Sequence, residues 1–98
     1  MDALHMERRA ALALLLDFYG PLLTDRQRDV LGRHVEQDLS YGEIADDLGI
    51  SRQAVHDFVR RGSDALEEYE RRLGLVARFE RQRRALAEVR RLLKEFDG

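Results

Sequence analysis

The stretch Ser40–Arg61 constrains the chain most: its apolar spacing, capping residues and single interior glycine specify two short helices joined by a tight turn. Tyr41, Ile44, Ala45 and Leu48 recur at i, i+3, i+4 and i+7, which gives a short helix one apolar face and turns Glu43, Asp46 and Asp47 to water. Ser40 opens that helix. Its hydroxyl can accept from the amide of the third helical residue while Glu43 reaches back to the Ser40 amide, a capping box. Gly49 closes the helix, since glycine enters the left-handed region without a Cβ clash, and Ser51 opens a second helix two residues later.

The spacing resembles the helix-turn-helix pattern, in which a small residue lets two helices cross closely, a glycine four positions on forms the turn, and an apolar residue six further locks the second helix. Ala45, Gly49 and Val55 hold those places. Val55, Phe58 and Val59 share one side of the second helix, so Gln53, His56, Asp57 and Arg60 turn outward, with Arg52 and Arg61 at the borders. These six are the candidate nucleic-acid-binding residues. The competing reading is a helical hairpin that only packs, because such units also serve as dimerisation and adaptor elements.

A chain of 98 residues suits a single domain with a modest core, too small for a Rossmann fold or a barrel. With 44% hydrophobic and 37% charged residues, it has the balance of a soluble, all-α protein whose helices carry charged outer faces. It contains no cysteine, which excludes disulfides, zinc-finger sites and thiol nucleophiles and suits a reducing cytoplasm. The apolar run from Ala10 to Leu16 is too short to span a bilayer, acidic residues precede it, and no cleavage-like site follows. A cytoplasmic protein without membrane insertion is expected.

Net charge is -2, but the halves differ in sign. Residues 1–50 carry five basic and ten acidic side chains (net -5); residues 51–98 carry twelve basic and nine acidic (net +3). A nucleic acid would approach the second half. Arginine supplies sixteen of the seventeen basic residues, a bias that fits a GC-rich genome as well as phosphate and guanine contacts.

In chain order, residues 3–22 read as an N-terminal helical segment, 23–61 as the helix-turn-helix core and 62–98 as C-terminal helices. Leu4, Ala11, Leu15, Phe18 and Leu22 trace one stripe on the first helix, which Gly20-Pro21 ends. Around Leu12 to Leu16 the apolar side chains surround the helix, so it needs cover on more than one side, from a central position or a homodimer interface. Thr24 and Gln27 form another capping box, and Gln27, Leu31 and Val35 face inward beside Val30 in a helix that ends near Val35. Gly32 inside this helix predicts a close helix crossing. Beyond Arg61, Gly62 loosens the chain, and Leu66, Tyr69, Leu73 and Val76 continue a stripe that Gly74 interrupts. A final helix carries Leu86, Val89, Leu93 and Phe96, with an arginine-rich flank and pairs such as Glu80 to Arg84.

Phe18–Gln27, Ser40–Arg61 and Leu66–Leu75 together resemble successive signatures of the YlxM family, a likeness that covers the chain from about Phe18 to Leu75. These are small bacterial proteins whose helix-turn-helix resembles region 4 of sigma factors and whose genes commonly lie beside those of the signal recognition particle GTPase and its receptor. The resemblance implies a part in that pathway, with the particle's RNA or GTPase as partner. It also places sigma-like recognition positions on Arg52, Gln53, His56 and Asp57. A family-typical tyrosine is His56 here.

Nothing in the sequence asks for catalysis. His5, His34 and His56 lack the carboxylate spacing of a helical metal pair, and there is no nucleophile elbow, phosphate loop or paired carboxylate. No cofactor or metal is expected. Two function classes remain: a nucleic-acid-binding regulator that uses Arg52, Gln53, His56, Arg60 and Arg61 on RNA or DNA, and a protein-binding adaptor built on the same scaffold. A homodimer is expected from the apolar surface of Ala10 to Leu16 and the stripe from Leu86 to Phe96.

Overall fold

The structure, a computed structural model, describes residues 3–97, with side chains from 7 to 96. Helix α1 spans Ala3–Tyr19, α2 Asp25–Val35, α3 Tyr41–Leu48, α4 Arg52–Leu73 and α5 Leu75–Asp97, and a 3-10 turn covers Gly20–Leu22. Among the described residues there is no strand, so the fold is all-α as expected.

Local chemistry sets the helix ends. In the Thr24–Gln27 box each side chain accepts from the other residue's amide at 3.2 Å, and the Ser40–Glu43 box repeats the exchange at 3.1 Å. Ser51 Oγ accepts from the Ala54 amide at 3.0 Å and starts α4. Gly49 and Gly74 end α3 and α4 with φ of 67° and 62°, left-handed values that favour glycine.

Leu16 and Tyr19 of α1, Val30, Leu31 and Val35 of α2, Ile44 and Ala45 of α3, and Val55, Val59 and Leu66 of α4 form one core with Leu23. Helix α4 packs against each of α1, α2 and α3. It runs through Gly62 without a break, so Gly62 does not loosen the chain and the expected boundary at 61/62 falls inside a helix. A Cβ at Gly62 would lie 2.5 Å from Leu31 Cδ1, whereas a Cβ at Gly32 would meet nothing within 4 Å. The close crossing thus belongs to Gly62 and not to Gly32.

Three further expectations are corrected. On α1, Leu16 and Tyr19 are buried, Leu15 and Phe18 are half-buried and Ala11 is exposed, as is Leu22 in the 3-10 turn, so the inward face is turned by one residue from the expected stripe. The cause is the all-round apolar segment, which offers periodicity no unique face; Leu4 and His5 lie outside the described side chains. The stripe from Leu66 holds at Tyr69 and Val76, which pack against the core, and is interrupted at Gly74 as expected, but Leu73 falls outside it at 56% exposed. Glu80 pairs with Arg83 at 3.1 Å, while Arg84 Nε donates to the Glu80 carbonyl at 3.4 Å.

A half-buried clasp ties the start of α5 to α1 and α4. The Tyr19 hydroxyl, on a side chain almost fully buried, donates to Glu70 Oε1 at 2.6 Å and accepts from the Leu75 amide at 3.1 Å. The Val76 and Ala77 amides donate to Glu70 Oε1 and Oε2 at 3.0 Å, so a carboxylate on α4 caps α5. Burial pushes the Glu70 carboxyl up, but the three donated hydrogen bonds outweigh it and hold the group below the ordinary 4.5. Burial first, and then the bond to Glu70, raise the Tyr19 phenol above 10.0. Phe79 meets Phe18 edge-on with centroids 5.4 Å apart. From Arg81 to Phe96 every residue is exposed, and α5 projects from a molecule measuring 59 × 30 × 20 Å.

Candidate nucleic-acid interface

The two capped helices α3 and α4 meet through Ala45, which is 5% exposed, and the turn between them is drawn in by the Ile50 amide, which donates to the Ala45 carbonyl at 3.1 Å. Val55 and Val59 fix the inner face of α4 in the core, with Phe58 half-buried at its side. The outer face is left to solvent. Arg52, Gln53, His56, Arg60 and Arg61 are exposed and Asp57 is half-exposed.

Three of the six candidate residues come together. Gln53 Nε2 donates to Asp57 Oδ1 at 3.3 Å, and Arg60 Nη2 lies 3.8 Å from the same oxygen, so residues at i, i+4 and i+7 form one polar strip. The other three flank it. Arg52 folds back over α3, where a Cβ on Gly42 would come 3.1 Å from its Nη2. Arg61 borders a shallow hollow of about 220 Å³ with Ala54, Asp57 and Phe58. His56 leaves the strip on the α3 side, its ring edge-on to Tyr41 at 5.7 Å.

Sequence reasoning missed what lies behind His56. Tyr41 also packs on His34 at 4.8 Å, and His34 Nδ1 stands 2.9 Å from the Leu39 carbonyl, so three rings from α2, α3 and α4 make one ladder. Burial raises the Tyr41 phenol above 10.0. No local pattern marks these rings as neighbours, since the contacts run between helices. The acidic side of α3 is partly occupied as well: Glu43 serves the capping box, and Asp47 Oδ2 lies 3.4 Å from Arg33 Nη1, which also leaves Arg33 Nε on Asp29 at 3.0 Å. Among the described residues no group of three His, Asp or Glu side chains could hold a metal ion, and no helix is long and apolar enough to cross a membrane.

Comparison with known proteins bears on this architecture directly. The profile of the family UPF0122, described as "Putative helix-turn-helix protein, YlxM / p13 like", matches residues 6–96. The chain belongs to this family. A UPF0122 protein of Symbiobacterium thermophilum is 51% identical over 86 residues, 88% of this chain and 80% of its own. One from Shouchella clausii is 44% identical over 88 residues, covering 90% and 81%, and one from Acetivibrio thermocellus 45% over 92 residues, covering 94% and 79%. The match therefore extends beyond Phe18–Leu75 to most of α1 and of α5. In this member the helix-turn-helix is a complete geometric unit, with both caps formed, the turn glycine left-handed and the inner face of α4 buried.

Proposed function

We propose that this UPF0122 protein is a non-catalytic regulator that binds nucleic acid through the first half of α4, and that it acts in the signal recognition particle pathway on the particle's RNA. The observation that carries the reading is the strip of Gln53, Asp57 and Arg60, flanked by Arg52 and Arg61, on the outer face of a helix whose inner face is fully used by the core. That outer face owes nothing to folding, and its guanidinium groups match phosphate oxygens. One of the three carboxylates on α3, Asp47, is offset by Arg33, which lessens the repulsion that a polyanion would meet. The pathway follows from the likeness to YlxM proteins.

Binding to labelled signal recognition particle RNA, followed by fluorescence anisotropy over a salt series, tests it. Each phosphate neutralised contributes about 0.7 on single strands, or about 0.9 on duplex DNA, to the slope of log affinity against log salt. Arg60→Ala with Arg61→Ala should flatten the slope by about one to two units, while Gln53→Ala leaves it unchanged and alters preference among sequences. Tight binding to promoter DNA without affinity for the particle's RNA would remove the pathway from the reading. A second reading, a protein-binding adaptor of the particle or its receptor, draws on the Asp57–Arg60 pair, which neutralises one arginine of the strip. It expects negligible nucleic-acid affinity and an association with the GTPase that survives the double arginine substitution.

A further inference from the structure

Two apolar surfaces stay open in this fold, and they lie on different parts of the chain. The first is on α5, where Leu86, Val89, Leu93 and Phe96 are 57%, 51%, 59% and 89% exposed. They step by three and four residues, the 3.5-residue seam of a helix built to lie against another helix. The second is a groove of about 420 Å³ between α1 and α4, lined by Arg8, Ala11, Leu12, Leu15, Ser63 and Glu67. We propose that the protein is a reciprocal dimer in which α5 of each copy lies in the α1/α4 groove of the other. This goes beyond the nucleic-acid reading and stands without it.

Closure within one chain is barred by geometry. Helix α5 is unbroken from Leu75 to Asp97 and holds no glycine or proline. Its first turn is pinned by Glu70 and by Phe18 against Phe79, so the seam cannot fold back to its own groove. Pairing of α5 with α5 is opposed by charge. With Leu86 and Leu93 at a and Val89 and Phe96 at d, the e and g flanks carry Arg78, Arg83 and Arg90, which would face their own kind across the seam.

The groove leans to the opposite sign. Glu67 lines it and Asp64 stands exposed one position after Ser63, neither in an ion pair among the described residues, against Arg8 as the one basic side chain of the lining. Helix α5 carries seven basic against four acidic side chains, and Arg78, Arg81 and Arg90 make no ion pair among the described residues. Exchange therefore sets a basic, apolar-seamed arm against an acidic-rimmed, apolar groove. A two-fold axis makes the contact twice and closes the assembly. The two symmetric contacts together must bury on the order of 1,600 Å² to reach the size of a standard stable interface.

The chain has no cysteine, so single-cysteine variants report the geometry without interference. Sedimentation equilibrium of the full chain at tens of micromolar should give twice 11.4 kDa. Leu93→Asp, on an exposed residue of the arm, should return one chain mass with an unchanged melting curve when dilute. Ala11→Cys, mixed in turn with Leu86→Cys, Val89→Cys and Leu93→Cys and oxidised, should form a mixed disulfide with at least one of them, identified by mass spectrometry. A monomeric wild-type chain, a Leu93→Asp chain that still dimerises, or disulfides confined to pairs of α5 variants would each overturn the proposal.

Discussion

At position 62 one methyl group is too much, because its Cβ would lie 2.5 Å from Cδ1 and 3.2 Å from Cγ of Leu31, a side chain fully buried in the core. Gly62→Ala should gain about 1 kcal/mol of helix propensity but lose more to overpacking, for a net loss of about 1 to 2 kcal/mol in urea denaturation. Gly32→Ala meets nothing and should gain about 0.5 to 1 kcal/mol in the same measurement. Equal midpoints for the two variants would show that the crossing is misplaced. Gly49→Val should cost about 1 to 3 kcal/mol, since a β-branched residue fits φ of 67° poorly. The capping boxes at Thr24 and Ser40 were legible in the sequence because each joins residues three apart. A glycine inside a helix tells only that something comes close or nothing does. Which of the two holds depends on a side chain from elsewhere, and that is why Gly32 drew the expectation that Gly62 fulfils.

Among the elements, the junction of α4 with α5 is governed by one carboxylate. Glu70 has a folded pKa below its ordinary 4.5, so its contribution is present above that value and is lost as pH falls through the depressed folded value. Glu70→Gln removes the charge from the α5 amides and should cost about 1 to 2 kcal/mol at pH 7. The gap between wild type and variant in thermal unfolding should narrow and close as pH falls from 4.5 through the depressed folded value. A gap that persists unchanged into acid would show that Glu70 is not the ionised cap. Tyr19 works with the opposite sign: its raised pKa leaves its contribution intact below 10.0 and removes it as pH climbs through the folded value. Helix existence and type followed from periodicity and caps, so α2, α3 and the start of α4 fell where the sequence put them. The direction of α5 did not, because it depends on Tyr19 and Glu70, 51 residues apart. Gly74 announced a break without saying where the next helix would point.

Across the whole molecule, folding stability is concentrated in the body, and the arm adds little to it as a single copy. In dilute solution the amides of 81–96 should exchange with solvent much faster than those of Val30, Leu31 and Val55, because local unfolding of the arm exposes no core. Exchange mass spectrometry reads this directly, and equal protection in both regions at nanomolar concentration would contradict it. The outward face of the first half of α4 was legible in the sequence because Val55 and Val59 must point inward, whereas the ring ladder behind His56 was not, since three helices assemble it. The continuity of α4 through Gly62 carries a mechanical consequence. At 1.5 Å per residue its 22 residues make a shaft about 33 Å long, with the polar strip at one end and the Glu70 clasp at the other. The two ends cannot turn independently. A roll of the first half about the helix axis is delivered whole to the clasp, and the tip of α5, 23 residues out, sweeps the widest arc.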